Sequence, residues 1–207
     1  MREYDEYLRV AAEWEAEFAR SRVLHGNRIH CRSGCSDCCS QMFQITEVEA
    51  AYISAAVKRL PESRRSEMKA RAVEYLFQRE ELLAKTAVPD AWGKLPPPGL
   101  RLPCPALEDG ACSIYDHRPI ICRRYGIPLY NPQKPDRIFA CELNFYPSEE
   151  IIDDQLVQIH TGLFNRWAAA QADYNQSGGR RDPKPITVAR AILEDFEPYL
   201  PRETRAG

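Results

Sequence analysis

The chain has 207 residues, a formal net charge of −2 and eight cysteines. Its length suits one domain, or one domain with a helical extension, and buries a normal core without help from a metal. The balanced charge excludes the basic surplus of a protein that grips nucleic acid or an anionic membrane surface, so neither is expected as a partner.

The opening residues MREYDEYLRV put charges where a secretory leader has its apolar stretch, and no apolar run approaches the roughly 20 residues of a membrane span. These features predict a cytoplasmic protein with no membrane partner. Thiols stay reduced in that compartment, so patterned cysteines read as metal ligands or catalytic thiols before they read as disulfides.

Tyr4, Leu8, Ala11, Ala12, Trp14 and Phe18 recur at helical spacing among charged residues and predict an amphipathic helix over 2–24. Gly26 and Asn27 interrupt it, and Cys31, Cys35, Cys38 and Cys39 follow among small polar residues in a predicted loop. Thr46 and Glu49 have the form of a capping box, which opens a second helix over 46–60. Pro61 suits the first turn of a third helix that runs to about residue 85.

Five prolines and Gly99 make 88–103 a stiff connector. Beyond Cys104, the dipeptide Asp109-Gly110 predicts a short hairpin turn, and Asp116 is placed to cap a short helix through Cys122 towards Gly126. Pro128, Pro132 and Pro135 predict an irregular segment up to Cys141. Ser148, Glu149 and Glu150 resemble the start of a fourth long helix through Trp167; a polar linker over 175–185 and a last helix over 187–199 complete the chain. The predicted fold is mainly α, with irregular cysteine-rich loops and at most a short β-hairpin. The predicted domains are an N-terminal helix over 1–30, a cysteine-cluster metal-binding domain over 31–147 and a helical segment over 148–207 packed on it.

The cysteines fall into two groups of four, Cys31, Cys35, Cys38, Cys39 and Cys104, Cys112, Cys122, Cys141, with none over 40–103. Thiolates are soft ligands that select zinc, copper(I) and iron-sulfur clusters over magnesium or calcium, so all eight are candidate ligands. Adjacent side chains such as Cys38 and Cys39 tend to diverge, which disfavours both on one tetrahedral ion. Eight thiols serve two four-thiolate sites, or one with four cysteines in other roles. The reading favoured here is one composite region, because the intervening helices can fold back as a hairpin.

The run Cys31-Arg32-Ser33-Gly34-Cys35-Ser36-Asp37-Cys38-Cys39, then Cys104-Pro105-Ala106-Leu107 with Gly110, then the stretch from Cys112 to Arg123 and finally Cys141 resemble the CxxCxxCC family of zinc- or iron-chelating proteins. The first pair here is separated by three residues where the family has two. The resemblance implies metal chelation. A flagellin lysine methylase looks similar in its cysteine pattern, and that likeness implies an iron-sulfur cluster.

Arg118 and Arg123, with Arg124, lie near Cys112 and Cys122 in sequence and are candidates to offset thiolate charge or to hold an anionic ligand. His117 and His30 are alternative ligands for a mixed site, whereas His25 and His160 read as ordinary helix residues and Tyr115 as packing. Three functions are expected in order: an iron-sulfur or iron-thiolate protein with a redox or modifying role, a zinc-binding structural or adaptor module with a protein partner, and a thiol oxidoreductase. No nucleotide-binding glycine loop, serine hydrolase elbow or zinc protease motif is present, so no reaction is legible.

Overall fold

The computed structural model describes residues 5–32, 34–85, 100–146, 149–176 and 184–197. The fold is mainly α, with two short antiparallel hairpins among the described residues. No helix among those residues is long and apolar enough to cross a membrane. The chain forms two compact units that interleave in sequence, Met1–Cys35 with Ile120–Asp173 and Ser36–Pro119 with Tyr174–Gly207.

In the first unit, α1 spans Asp5–His25, with Asp5 and Glu6 in its first turn and Arg22 and His25 in its last, the arrangement that suits the helix dipole. Tyr7, Val10, Ala11 and Trp14 are buried along one stripe. Helix α4, Ile120–Arg124, packs on α1 and is tied to it by Arg123 on Glu15 at 2.8 Å. Helix α5, Leu156–Gln176, brings Trp167 to 5.9 Å from the Tyr7 ring and His160 to 5.0 Å from Trp14.

Three expectations are corrected here. The short helix that Asp116 was to cap is split, because Arg118 precedes Pro119 and takes an extended ψ of 144°, outside the helical region. Asp116 instead lies inside a single 3-10 turn, Tyr115–His117, and α4 starts afresh at Ile120. The fourth long helix begins at Leu156 and not near Ser148, which lies outside the described residues. Glu149 is turned to other work, accepting the Tyr146 N–H at 3.1 Å and pairing with Arg28. Asp153 then starts the turn into the helix by accepting the Gln155 N–H at 3.1 Å. The segment read as irregular also contains a hairpin, Leu129–Tyr130 (β3) against Ile138–Phe139 (β4), in the register Leu129 to Phe139.

In the second unit, α2 spans Glu47–Lys58 and α3 spans Glu62–Ala84. The capping box is present: Glu49 Oε2 accepts the Thr46 N–H at 2.7 Å and its hydroxyl at 2.9 Å. Pro61 precedes α3 and its carbonyl takes the Arg65 N–H at 2.9 Å. Helix α6, Val188–Leu193, packs against both and is shorter than the predicted 187–199. Thr187 caps it, and the chain then extends at Glu194 so that Ser54 can take the Phe196 N–H at 3.3 Å. The hairpin Leu107–Glu108 (β1) with Ala111–Cys112 (β2) turns through Asp109 and Gly110 at φ 49° and 76°, as a two-residue turn of this type requires. Most of the predicted connector, residues 88–99, and the linker core, residues 177–183, lie outside the described residues.

Candidate metal centre

The two sequence groups of cysteines do not match the two units. Each unit holds two cysteines of each group: Cys38, Cys39, Cys104 and Cys112 in the second, and Cys31, Cys35, Cys122 and Cys141 in the first. The described residues contain no disulfide among these eight.

In the second unit Cys38 and Cys39 occupy a 3-10 turn, Asp37–Ser40. Arg101 locks it by pairing with the Asp37 carboxylate at 2.8 Å and donating to the Asp37 carbonyl at 3.1 Å. The strand-like run after Arg101 is stitched to the same turn, with Leu102 N–H on Ser40 O at 2.9 Å and Cys104 N–H on Cys39 O at 2.7 Å. Leu107 N–H then closes a turn onto Cys104 O at 2.9 Å, and the β1–β2 register sets Cys112 opposite Leu107. From α3, Arg71 donates to Pro105 O at 3.0 Å, and Tyr75 sits within electrostatic range of Cys104.

These four thiols act on one another. The hydrogen bond to Cys39, followed by burial and the charges of Cys39 and Asp37, pushes the Cys38 thiol far up from its usual value. Burial above all lifts Cys104 to about 12, with Cys112 and Cys38 adding to the rise and the N–H groups of Ala106 and Leu107 opposing it. Burial also raises Cys112, and Cys38 adds to it, while the Ile114 N–H and the Arg118 charge pull it down. Each ionisation therefore penalises the next, a conflict that a bound cation resolves. The contact of Cys38 with Cys39 bears on the divergence expected of adjacent side chains. Each sulfur swings about one Cα–Cβ bond, so rotamer choice can bring the two together.

The four cysteines of the first unit differ in setting. Cys35 is exposed and Cys141 is buried. Cys31 packs against the cluster of Ile29, Ile127 and Phe145. Its Sγ receives the Asn144 side-chain N–H at 3.5 Å, and Cys122 lies on α4, one helical turn before Gly126.

Arg118 lies over the Tyr115 ring at 3.7 Å and donates to its carbonyl at 3.1 Å, while Tyr115, expected to pack, is 60 % exposed. Arg123 makes the ion pair with Glu15 described above, and Arg124 lies over Trp14 at 5.1 Å. His117 is engaged by Arg59 at 3.1 Å and by the Tyr52 ring at 4.7 Å. His30 is exposed and uses its backbone N–H on Asn144. His160, read as an ordinary helix residue, is fully buried in a polar network, and Asn144 and Gly126 were not singled out as site residues. An asparagine three residues beyond Cys141 is the sequence signal that was available for the first of these.

The donor set is of the kind that soft metals select, four cysteine thiols with backbone N–H groups near Cys104 and Cys112. Among the described residues, however, no three His, Cys, Asp or Glu side chains already stand as the ligand set of one ion. No curated protein and no solved structure matches the chain. The profile of the CxxCxxCC family, described as a "putative zinc- or iron-chelating domain", matches residues 30–137, just over half of the chain, and covers seven of the eight cysteines. The chain belongs to the CxxCxxCC family of metal-chelating domains.

Proposed function

We propose that the chain is a thiolate metal-binding protein whose centre in the second unit is a single zinc or iron ion held by Cys38, Cys39, Cys104 and Cys112. The observation that carries this reading is the stitching of the three cysteine segments, Cys104 N–H on Cys39 O at 2.7 Å and Cys112 in the hairpin that follows, with Cys38, Cys104 and Cys112 each raised by burial and by another thiol of the set. A tetrahedral ion with metal–sulfur bonds of about 2.3 Å spaces its sulfurs by about 3.8 Å. Contact between Cys38 and Cys39 suits two corners of one such tetrahedron better than two ligands of a four-iron cluster, each of which binds a different iron. Side-chain rotation would let the four cysteines hold such an ion, with release of their thiol protons. The ion then fixes three chain segments that have little regular structure of their own. Arg118 offsets part of the thiolate charge at Cys112.

The remaining four, Cys31, Cys35, Cys122 and Cys141, form a second candidate set in the first unit, with Arg123 beside Cys122 in sequence. A reducing compartment such as the cytoplasm suits thiols kept for metal. The iron-sulfur reading is the second one, and the Cys104-Pro105 dipeptide with two N–H groups on the Cys104 thiol favours it. An iron form would bring one-electron redox chemistry, whereas a zinc form is structural.

Oxygen-free purification followed by metal and acid-labile sulfide analysis and a visible spectrum tests these readings. Zinc, or iron without sulfide, lost when Cys104→Ser is introduced, supports the single-ion centre. Iron with matching sulfide overturns it in favour of the cluster, and a folded chain that takes up no metal overturns both.

A further inference from the structure

Asn144 is 8 % exposed and ties three cysteine-bearing segments of the first unit together. Its Nδ2 donates to Cys31 Sγ at 3.5 Å and to Gly126 O at 2.6 Å, and its Oδ1 accepts the His30 N–H at 3.0 Å. Its own N–H donates to Cys141 O at 2.9 Å. One buried side chain thus spans the Cys31 loop, the end of the helix that carries Cys122, and the turn that follows Cys141.

Space around Cys31 is just as specific. Gly126 has φ +110°, and a Cβ built there would lie 2.4 Å from Cys31 Sγ. The sulfur is therefore seated against bare backbone, and Cys31 packs against the apolar cluster of Ile29, Ile127 and Phe145. A neutral thiol is a weak hydrogen-bond acceptor, whereas a metal-bound thiolate is a strong one. An amide donor aimed at this sulfur in an apolar niche serves the metal-bound state, as an N–H partner to a ligand typically does.

We propose that Asn144 is a positioning residue for a thiolate metal centre in the first unit built on Cys31, Cys122 and Cys141, orienting Cys31 and donating an N–H···S hydrogen bond to its thiolate. The inference rests on the metal-binding reading above and adds a residue that is not itself a ligand.

The test uses cobalt(II) as the probe in the full chain carrying Cys38→Ser, which leaves the first-unit centre to be read alone. Asn144→Asp keeps the shape and one acceptor oxygen for His30 but removes both donors and sets an anion beside the sulfur. The expected result is a loss of cobalt affinity of about tenfold to a hundredfold with a shifted sulfur-to-cobalt charge-transfer band. Unchanged affinity and an unchanged band in a folded Asn144→Asp protein overturn the inference while leaving metal binding intact. Cobalt uptake that is insensitive to Cys31→Ser overturns the first-unit centre itself. Should Asn144→Asp fail to fold, zinc titration of the otherwise unaltered chain decides. The Asn144 side-chain amide proton is expected to move downfield on zinc loading, and a proton that does not respond overturns the proposal.

Discussion

His160 Nε2 stands 3.0 Å from Glu17 Oε1, and both side chains are buried. Because His160 Nδ1 accepts the Tyr130 N–H at 3.1 Å, the ring is held in the tautomer whose Nε2–H donates to Glu17. Glu17 also takes Arg20 at 2.7 and 2.8 Å, and Arg20 reaches on to Asp153 at 3.2 Å through its second nitrogen. One buried network therefore fastens α1, α5, the turn before α5 and the β3 strand in the first unit.

This network predicts acid sensitivity with a defined sign. Burial raises the Glu17 carboxyl, but hydrogen bonds from Arg20 and His160 and their charges outweigh it and hold the group below its ordinary 4.5. A depressed folded-state pKa gives stability that is present above 4.5 and is lost as pH falls through the lower folded value. Urea unfolding should show Glu17→Gln to be less stable than the natural chain at neutral pH, with the gap closing in acid. A gap independent of pH would remove Glu17 from the account. His160→Ala, which strands the Tyr130 N–H and removes one donor to Glu17, should cost about 3 kcal/mol.

Gly126→Ala should be costly for two separate reasons. A side chain at φ +110° is strained wherever it sits, and this one also drives into Cys31 Sγ. Together they predict a loss of about 3 kcal/mol in denaturant unfolding. Gly162→Ala in α5, where a Cβ meets nothing within 4 Å, is the control and should be neutral or slightly stabilising.

Ser54 offers a cleaner case in the second unit. Its buried hydroxyl lies 2.9 Å from Ala191 O and 3.0 Å from Glu194 O, and accepts the Phe196 N–H at 3.3 Å. Ser54→Ala removes a donor and an acceptor at the point where α2 meets the end of α6, and takes the hydroxyl away from the Phe196 N–H. The expected cost is about 2 kcal/mol by thermal or urea unfolding, and a change under about 0.5 kcal/mol would show that water replaces the hydroxyl.

Local signals carried much of this fold. The Thr46 and Glu49 pair marks α2 within one residue, the helical stripe of Val10, Ala11 and Trp14 marks α1, and Asp109-Gly110 marks the hairpin, because each depends on neighbours in sequence. The misses are tertiary. The start of α5 was misplaced because Glu149 and Asp153 are committed to Arg28 and Arg20, contacts that sequence spacing does not contain. For the site, the identity of the thiols was legible and their partition was not. Cys35 and Cys38 are three residues apart yet belong to different units, and only the folded backbone separates them. Asn144 stayed hidden for the same reason, since its partners Cys31 and Gly126 are distant in sequence.

The raised thiols of the second unit predict how metal binding depends on pH. Cys38 is pushed far up by its hydrogen bond to Cys39 and by burial, Cys104 is lifted to about 12 by burial, and Cys112 is raised by burial as well. All three therefore carry protons at neutral pH in the absence of metal, and a bound ion must displace them. Each displaced proton makes the apparent affinity about tenfold stronger per unit rise in pH. Zinc competition between about pH 6 and about pH 8 should thus show affinity climbing steeply with pH, and proton release on zinc addition to a weakly buffered solution should account for the slope. Cys112→Ser should reduce that slope by one proton. Removing Arg118 with Arg118→Gln should raise the Cys112 thiol further and weaken zinc by a similar factor across this pH range, since the thiol is protonated throughout it. An affinity that does not vary with pH would mean that these thiols are not the ligands.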